Sequence, residues 1–303
     1  MKNLNKFEEK LGKGRILVNE PLAKHTTFQI GGPAKYYFEA QTKEEMTEAV
    51  RLAKDFKLSY FILGGGSNIL IGDKGFSGLI IKNKINGIKI LGYKGNVSKL
   101  KSLNIQKVLV EVGSGVLINQ LVRFTIEEGL SGLEGFLGLP GTIGGAVTVN
   151  AHWKENGREK RIESLIISKN YFEKTLISVV FGFSKEKKEK LWEKAKQAVA
   201  YRQKTQPIGP SAGCIFKNIK ESEALKIGTP NQTTSTGFLI EASGLKGIKL
   251  GQVQISPVHA NFMINLGGGK AKEVIDLISL VKTKIKEKFN IEVKEEILLV
   301  GEF

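Results

Sequence analysis

Two glycine-rich segments contain the residues best suited to hold a phosphate-bearing ligand. The first, ILGGGSNIL at 62–70, follows an apolar run and supplies three adjacent glycines, a serine and an asparagine. Adjacent glycines permit positive φ and place no Cβ between the backbone and a ligand, so successive N–H groups can converge on an anion. The segment matches neither G-x-G-x-x-G nor the Walker A pattern. A tight turn between two strands is therefore the alternative interpretation.

The second glycine-rich segment, GLPGTIGGAVTVNA at 138–151, exposes its backbone in the same way between apolar residues. Two such segments in one chain indicate a long ligand with a pyrophosphate, such as a dinucleotide. A shorter element, FQIGGPAKYYF at 28–38, adds Gly31 and Gly32 before an expected strand.

The cysteine and histidine content argues against a metal enzyme. Cys214 is the single cysteine, so it cannot form an internal disulfide, and the three histidines stand far apart at 25, 152 and 259. A structural zinc site usually needs several cysteine or histidine ligands. No metal site is expected.

The chain is strongly basic, but its charge pattern favours a lysine-rich surface over nucleic-acid binding. The formal net charge is +16, yet arginine, the usual residue for bidentate phosphate and base recognition, is scarce. No zinc-finger, helix-turn-helix or RNA-binding pattern accompanies the lysines. A basic polyanion-binding protein is kept as a minor hypothesis that salt-dependent DNA retention would test. A positive field also helps to steer phosphorylated ligands into a cleft.

The sequence predicts a cytoplasmic protein without a membrane segment. The N-terminus lacks the apolar stretch of a secretory signal. The longest uncharged run, residues 135–153, contains five glycines, Pro140 and Asn150, which is typical of loops around a short strand rather than a spanning helix.

Hydrophobic periodicity predicts an α+β protein. Apolar residues recur at helical spacing in residues 43–56, 117–129 and 270–289, and residues 185–203 form a charged helix whose lysines face solvent. Short apolar runs between them predict strands. The breaker sequence TQPIGP at 205–210 marks a domain boundary.

Several motifs, in a fixed order, carry a resemblance to a known family. HTTFQIGGPA, ILGGGSNILI and GLEGFLGLPGTIGGAVTVNA resemble segments of the UDP-N-acetylenolpyruvoylglucosamine reductases of peptidoglycan synthesis. The resemblance continues through PSAGCIFKN, TGFLIEASGLKG, VQISPVHANFMIN and EVKEEILLVGEF. It covers the chain from about residue 19, and the uninterrupted ISPVHANFMIN is similar to the shorter of the family's two subtypes.

The resemblance implies an FAD-binding fold of the vanillyl-alcohol-oxidase (PCMH) type. Its two subdomains are expected at 1–84 and 85–204. A C-terminal α+β substrate domain is expected at 205–303, with its last strand returning toward the FAD site. Non-covalent FAD, NADPH as hydride donor and a cytoplasmic monomer acting on small-molecule substrates follow from the same resemblance, with no nucleic-acid or membrane partner.

The family's reaction implies the chemistry expected here. NADPH passes a hydride to FAD, and the reduced flavin delivers it to C3 of the enolpyruvyl ether of UDP-N-acetylglucosamine enolpyruvate. The resulting enolate is protonated at C2 to give UDP-N-acetylmuramate. This chemistry requires a cation or proton donor near the substrate carboxylate and a proton donor near C2.

The resemblance assigns roles to individual residues. Cys214 falls at the position of the family's proton donor, with a small buried apolar residue as the alternative role, and Glu296 matches the catalytic glutamate, with a surface residue as its alternative. The expected substrate-binding residues are Arg202, Asn218, Gln206 and Lys217. The expected cofactor-binding residues are Gly31, Gly32, Leu63, Gly64, Gly65, Gly66, Ser67, Asn68, Gly138, Pro140, Gly141, Gly144, Gly145, Ala146 and Asn150.

One segment departs from the family pattern. Family members normally continue with NAGAYG and then a Tyr-Arg-x-Ser segment whose arginine helps to stabilise the enolate. Here the chain reads NAHWKENGREKRIESLIISKN, without a Tyr-Arg-x-Ser. One interpretation is that Arg158 or Arg161 replaces that arginine. The alternative is that both are surface residues. The alternative function is a flavin- or nucleotide-binding homologue with impaired or lost reductase activity.

Overall fold

The computed structural model describes residues 2–94, 107–155 and 158–303, and within them the chain is α+β, as predicted. The α-helices in these residues are α1 (Lys2–Leu11), α2 (Lys43–Asp55), α3 (Ile118–Glu127), α4 (Ile143–Thr148), α5 (Lys188–Thr205), α6 (Glu221–Ile227), α7 (Thr236–Ala242) and α8 (Ala271–Phe289). The strands in these residues are β1 (Leu17–Pro21), β2 (Pro33–Ala40), β3 (Tyr60–Leu63), β4 (Ile69–Ile71), β5 (Phe76–Asn83), β6 (Ile88–Lys94), β7 (Lys107–Gly113), β8 (Leu130–Ser131), β9 (His152–Glu155), β10 (Arg158–Arg161), β11 (Ile166–Phe172), β12 (Thr175–Lys185), β13 (Lys249–Leu250), β14 (Val253–Ile255), β15 (Met263–Asn265) and β16 (Leu298–Val300).

The chain divides into two compact units, each assembled from segments that are distant in sequence. Unit 1 comprises residues 1–17, 37–65 and 79–202. Unit 2 comprises residues 18–36, 66–78 and 203–303. Within unit 1, β3 pairs in parallel with β5, and Tyr60–Leu63 align with residues 79–82.

Unit 1 is built on an antiparallel sheet in the order β11–β12–β7–β6, with β8 paired to the end of β12. Every second residue of β7 is buried, at Val108, Val110 and Val112, because successive side chains of a strand point to opposite faces. The apolar side of α3, including Leu121 and Val122, belongs to the same core as these valines. Hydrophobic burial of one sheet face thus holds this unit together.

Unit 2 has its own core around helix α8. The periodicity of residues 270–289 predicts an apolar stripe of Val274, Ile278, Val281, Ile285 and Phe289. The first four are buried, and Phe289 is half-buried against the same core. The small sheet β13–β14–β15 and the parallel pair β4–β16 belong to this unit. The helices predicted at 43–56, 117–129, 185–203 and 270–289 are confirmed with small shifts of their ends.

The uncharged run at 135–153 differs from the sequence prediction in its local structure. It contains the short helix α4 where a short strand was expected. The Thr142 hydroxyl accepts from Gly145 N at 3.4 Å and caps the first turn, so the N-cap outweighs the β-propensity of AVTV. Within residues 2–94, 107–155 and 158–303, we find no helix with the length and apolarity needed to span a membrane.

The N-terminus of helix α8 is capped by Asp73, which is distant in the sequence, and we predict that this cap stabilises the fold. The Asp73 carboxylate accepts from Ala271 N at 2.8 Å and from Lys272 N at 3.0 Å. We expect Asp73→Ala to lower the free energy of unfolding by about 1 kcal/mol, because two N-terminal N–H groups lose their acceptor. Urea unfolding measures the change. Asp276→Ala, which breaks only an exposed ion pair with Lys272, is the control and should change stability by less than about 0.5 kcal/mol.

Candidate functional site

In unit 1 the two glycine-rich segments approach each other at backbone distance. A Cβ on Gly65 would lie 2.5 Å from Gly141 Cα, and a Cβ on Gly64 would lie 2.6 Å from the Thr142 hydroxyl. Cβ atoms do not fit at such distances, so Gly65 is required by the approach of one backbone to the other and Gly64 by the Thr142 side chain. The segments that the sequence predicted to act together therefore meet.

In unit 2, Gly66 closes a turn against the HTTF segment. Its φ is +68°, and a Cβ would lie 2.3 Å from the His25 carbonyl oxygen. Its own carbonyl accepts from Thr27 N at 3.0 Å. This glycine has both a conformational and a steric reason to lack a side chain.

Several backbone N–H groups of these segments have no protein acceptor in the part of the chain that the structure describes. They belong to Gly65 and Gly141, whose backbones are in contact in unit 1, and to the buried Gly66 in unit 2. Buried N–H groups normally find an acceptor. Unused donors on a glycine backbone suit the anionic oxygens of a pyrophosphate.

A buried polar pair that the sequence did not reveal supports the second glycine-rich segment. Asn83 Nδ2 donates to the Ser114 hydroxyl at 2.7 Å, and Asn83 Oδ1 accepts from Ile85 N at 3.0 Å. The Ser114 carbonyl in turn accepts from Gly144 N at 2.7 Å. Through Ser114, the end of β5 thereby sets the position of the loop at 141–145. Hydrophobic periodicity in the sequence does not indicate this contact.

Arg202 lies against the loop at 135–138 in unit 1. Both of its terminal nitrogens donate to the Gly135 carbonyl at 3.1 Å, and Nη2 also donates to the Leu137 carbonyl. Its Nε is buried and has no partner among the described residues. Burial lowers the pKa of this guanidinium. The terminal nitrogens of Arg202, which were expected to bind phosphate, thus donate to carbonyls of its own unit. Only Nε is left without a partner among the described residues.

The other expected cofactor-binding residues of unit 1 line the same two segments. Leu63 is the buried end of β3, and Ala146 is buried in α4. Gly138, two residues before Pro140 in the chain, donates its N–H to Asn119 Oδ1 at 2.6 Å. Asn150 donates to Glu163 at 2.9 Å, while its buried Oδ1 has no partner among the described residues.

Cys214 and Glu296 are brought together in unit 2. Glu296 N donates to the carbonyl of Ile215, the residue after Cys214, at 2.8 Å. Asn68 Nδ2 donates to the Glu296 carbonyl at 3.2 Å, so a residue of the first glycine-rich segment holds the backbone at Glu296. The structure thus unites three predicted site residues that lie far apart in sequence.

The thiol of Cys214 is held in its protonated form. Burial, together with the negative charge of Glu296, raises the pKa of Cys214 to about 12. Both effects disfavour a thiolate. At neutral pH this side chain therefore carries a proton that it can donate.

The remaining predicted residues of unit 2 are distributed around the segment after Cys214. Lys217 and Asn218 are exposed, and Asn218 Oδ1 accepts from Thr236 N at 3.3 Å at the start of α7. Gln206 is half-buried. Gly31 and Gly32 pack against Ile71 and Asp73 respectively, and Ser67 lies between Gly66 and Asn68 in the chain.

The two arginines considered as replacements for a missing cation lie in strand β10. The Arg161 guanidinium pairs with Glu159 at 2.6 Å and is exposed. His152 Nε2 lies 3.7 Å from the same carboxylate. The side chain of Arg158 lies outside the described residues.

Comparison with known proteins decides the family. A family model described as the C-terminal domain of UDP-N-acetylenolpyruvoylglucosamine reductase matches residues 203–300, and one described as an FAD binding domain matches residues 34–168. The UDP-N-acetylenolpyruvoylglucosamine reductase 1 of Bacillus cereus is 32% identical over an alignment that covers 95% of this chain and 95% of the relative. This chain belongs to the UDP-N-acetylenolpyruvoylglucosamine reductase family.

Further members of the reductase family match along their whole length. The Bacillus pumilus reductase is 32% identical, with 100% of this chain and 99% of the relative covered. The solved structure of the Thermus caldophilus reductase is 28% identical, with a TM-score of 0.67, and covers 94% of this chain and 98% of that chain. The predicted fold, an FAD-binding domain of the PCMH type followed by a reductase C-terminal domain, is confirmed.

The contact between the glycine segments predicts opposite effects for two Gly→Ala variants. Gly65→Ala should lower the free energy of unfolding by about 1–3 kcal/mol, because its methyl group collides with Gly141. Gly145→Ala, whose Cβ would meet only the Thr142 hydroxyl at an ordinary 3.6 Å, should be neutral or stabilising by up to about 1 kcal/mol. Urea unfolding of the FAD-free chain compares them. Equal destabilisation of both variants would contradict the assigned contact.

The protonated state of Cys214 predicts slow alkylation. At pH 8 we expect iodoacetamide to modify the folded chain at least about 100-fold more slowly than the urea-unfolded chain, because only the thiolate reacts. Glu296→Gln removes the neighbouring negative charge, which lowers the thiol pKa, so alkylation should become faster. Mass spectrometry follows the single adduct. A folded chain that reacts as fast as the unfolded one would exclude the raised pKa.

Proposed function

We propose that this chain reduces UDP-N-acetylglucosamine enolpyruvate to UDP-N-acetylmuramate with NADPH, using non-covalently bound FAD, in peptidoglycan precursor synthesis. The observation that carries the proposal is the protonated Cys214 thiol held beside Glu296 in a chain that matches named reductases over nearly its full length. The enzyme is thus an NADPH-dependent flavoprotein oxidoreductase.

FAD fits the backbone of the glycine-rich segments. The N–H groups of Gly65 and Gly141, with no acceptor among the described residues, suit its pyrophosphate, and the expected cofactor-binding residues surround them in sequence. When bound, FAD supplies hydride transfer from NADPH to the enolpyruvyl double bond. The protein itself holds the cofactor and the substrate and donates the proton.

Cys214 is the proposed proton donor to C2 of the substrate. Its Sγ–H proton moves to C2 as a new C–H bond forms at that carbon, and the thiolate left behind takes a proton from solvent. Because the folded site raises the pKa of this thiol, a thiolate formed there is readily reprotonated. Glu296, on the facing segment, is the proposed catalytic carboxylate.

Polar side chains near Cys214 are proposed to bind the anionic UDP portion. Lys217 and Asn218 follow Cys214 in the chain and are exposed. Lysine is a cation for phosphate oxygens, and the carboxamide offers both a donor and an acceptor. Gln206 and Arg202 are proposed for substrate binding on the family resemblance alone.

The finer properties of the protein are part of the same proposal. We propose a cytoplasmic monomer with small-molecule substrates and with neither a nucleic-acid nor a membrane partner. The boundaries at 84/85 and 204/205 are proposed as those of the two FAD-binding subdomains and the substrate domain. The alternative of a homologue without reductase activity gains no support from the full-length similarity to named reductases.

The direct test is NADPH oxidation by the FAD-loaded chain. Steady oxidation that requires UDP-N-acetylglucosamine enolpyruvate would support the reductase and would show that Tyr-Arg-x-Ser is replaced or dispensable. Arg161→Ala then asks whether that arginine takes over the role. Bound flavin without substrate-dependent oxidation would contradict the proposal and support the alternative.

The role of Cys214 makes a separate prediction. Cys214→Ala should retain FAD and its reduction by NADPH but lose substrate turnover by about 100-fold or more, because the donated proton is gone. Cys214→Ser keeps a hydroxyl donor and should retain more activity than Cys214→Ala. Stopped-flow absorbance of the flavin separates the two half-reactions. Full turnover in the alanine variant would rule out Cys214 as the proton donor.

A further inference from the structure

Residues 214–217 are held on one side by the segment that carries Glu296. Phe216 pairs with Glu295 as an isolated antiparallel bridge. The two hydrogen bonds that flank this bridge run from Glu296 N to the Ile215 carbonyl and from Lys217 N to the Lys294 carbonyl, each at 2.8 Å. In this geometry the N–H and C=O of Phe216 itself point away from Glu295. They need partners on the opposite side.

The opposite side is only partly covered by main chain. Cys214 forms an isolated bridge with Phe262, and Ile215 N donates to the Asn261 carbonyl at 2.8 Å. The chain then turns, with Phe262 N donating to the His259 carbonyl at 2.9 Å, so this segment does not continue as a strand alongside Phe216.

The carboxamide of Asn261 fills that gap. Its Oδ1 accepts from Phe216 N at 2.9 Å and its Nδ2 donates to the Phe216 carbonyl at 2.8 Å. One side chain thus satisfies both main-chain groups of a single residue, as a neighbouring strand would do. Asparagine has this pair of groups at the required spacing, whereas ionised aspartate lacks the donor and leucine lacks both.

Because the contact is buried, the backbone position of Phe216 depends on it. Asn261 is 2% exposed and Phe216 is fully buried, so water does not readily replace a lost partner. Buried main-chain groups without partners shift to find them. A shift at Phe216 moves Cys214, two residues earlier, relative to Glu296 on the facing segment.

We propose that Asn261 is a positioning residue that sets the geometry of Cys214 and Glu296 for proton delivery to the substrate. This inference rests on the proposed function. It assigns Asn261 no contact with the substrate or with FAD: the residue acts through the backbone of Phe216. The motif HANF contains it, but the sequence does not show what it binds.

The test uses Asn261→Asp in the full-length, FAD-loaded chain. The substitution keeps the size of the side chain. With its carboxyl group ionised, it removes the donor to the Phe216 carbonyl and places an oxygen against that carbonyl, so the variant is assayed at pH 8. We expect reduction of the flavin by NADPH to stay within about twofold of wild type, and its reoxidation by UDP-N-acetylglucosamine enolpyruvate to slow about 10- to 100-fold. The loss should appear in kcat more than in the KM for this substrate.

A control variant separates positioning from stability. Val281→Ala removes buried methyl groups from α8, and both variants are compared at temperatures well below their measured Tm. If Val281→Ala slows reoxidation as much as Asn261→Asp, the role is merely structural and the inference is overturned. If Asn261→Asp does not fold, Asn261→Ser, which keeps a smaller polar group, takes its place.

The failure of this inference is distinguishable from that of the proposed function. No substrate-dependent turnover in the wild type overturns the proposed function and this inference together. Normal wild-type turnover with unimpaired reoxidation in the folded Asn261 variant overturns the inference alone. Selective loss of reoxidation in that variant, with the control unaffected, supports it.

Discussion

The pairing of the last strand with residues 69–71 is the constraint on which unit 2 depends. Leu298, Leu299 and Val300 align in parallel with Ile69, Leu70 and Ile71, and Asn68 binds the Glu296 carbonyl just before that pairing begins. Residues more than two hundred positions apart are thereby joined by main-chain hydrogen bonds. Glu296 obtains its place from this pairing, and residues 214–217 obtain theirs from the neighbouring segment at 294–296.

A second constraint is the close approach of glycine backbones in unit 1. The contact of Gly65 with Gly141 leaves no space for a side chain, and the Asn83–Ser114 pair holds the neighbouring loop through Gly144. The backbone N–H groups of Gly65 and Gly141, which have no acceptor among the described residues, then remain available to a ligand. The same glycines are required for packing and are proposed to bind the cofactor, so a family motif at these positions has two physical causes.

The chemistry proposed for Cys214 depends on electrostatics rather than on nucleophilicity. Burial and the charge of Glu296 keep its proton in place, whereas a nucleophilic cysteine needs a lowered pKa. A carboxylate beside a thiol is thus consistent with proton donation. The departure from the family's Tyr-Arg-x-Ser lies in unit 1, where Arg161 is paired with Glu159, and it leaves this arrangement of unit 2 intact.

The sequence by itself determined the α+β class, the amphipathic helices and the family, because hydrophobic periodicity and contiguous motifs are local signals. It placed the stripe of α8 correctly and missed α4, where a cap outweighed strand propensity. Only the tertiary structure decided which segments meet, what Arg202 binds and that Asn261 supports Phe216. Those outcomes depend on hydrogen bonds between residues distant in the chain. The residues next to a buried polar group in the sequence do not show which distant residue will bind it.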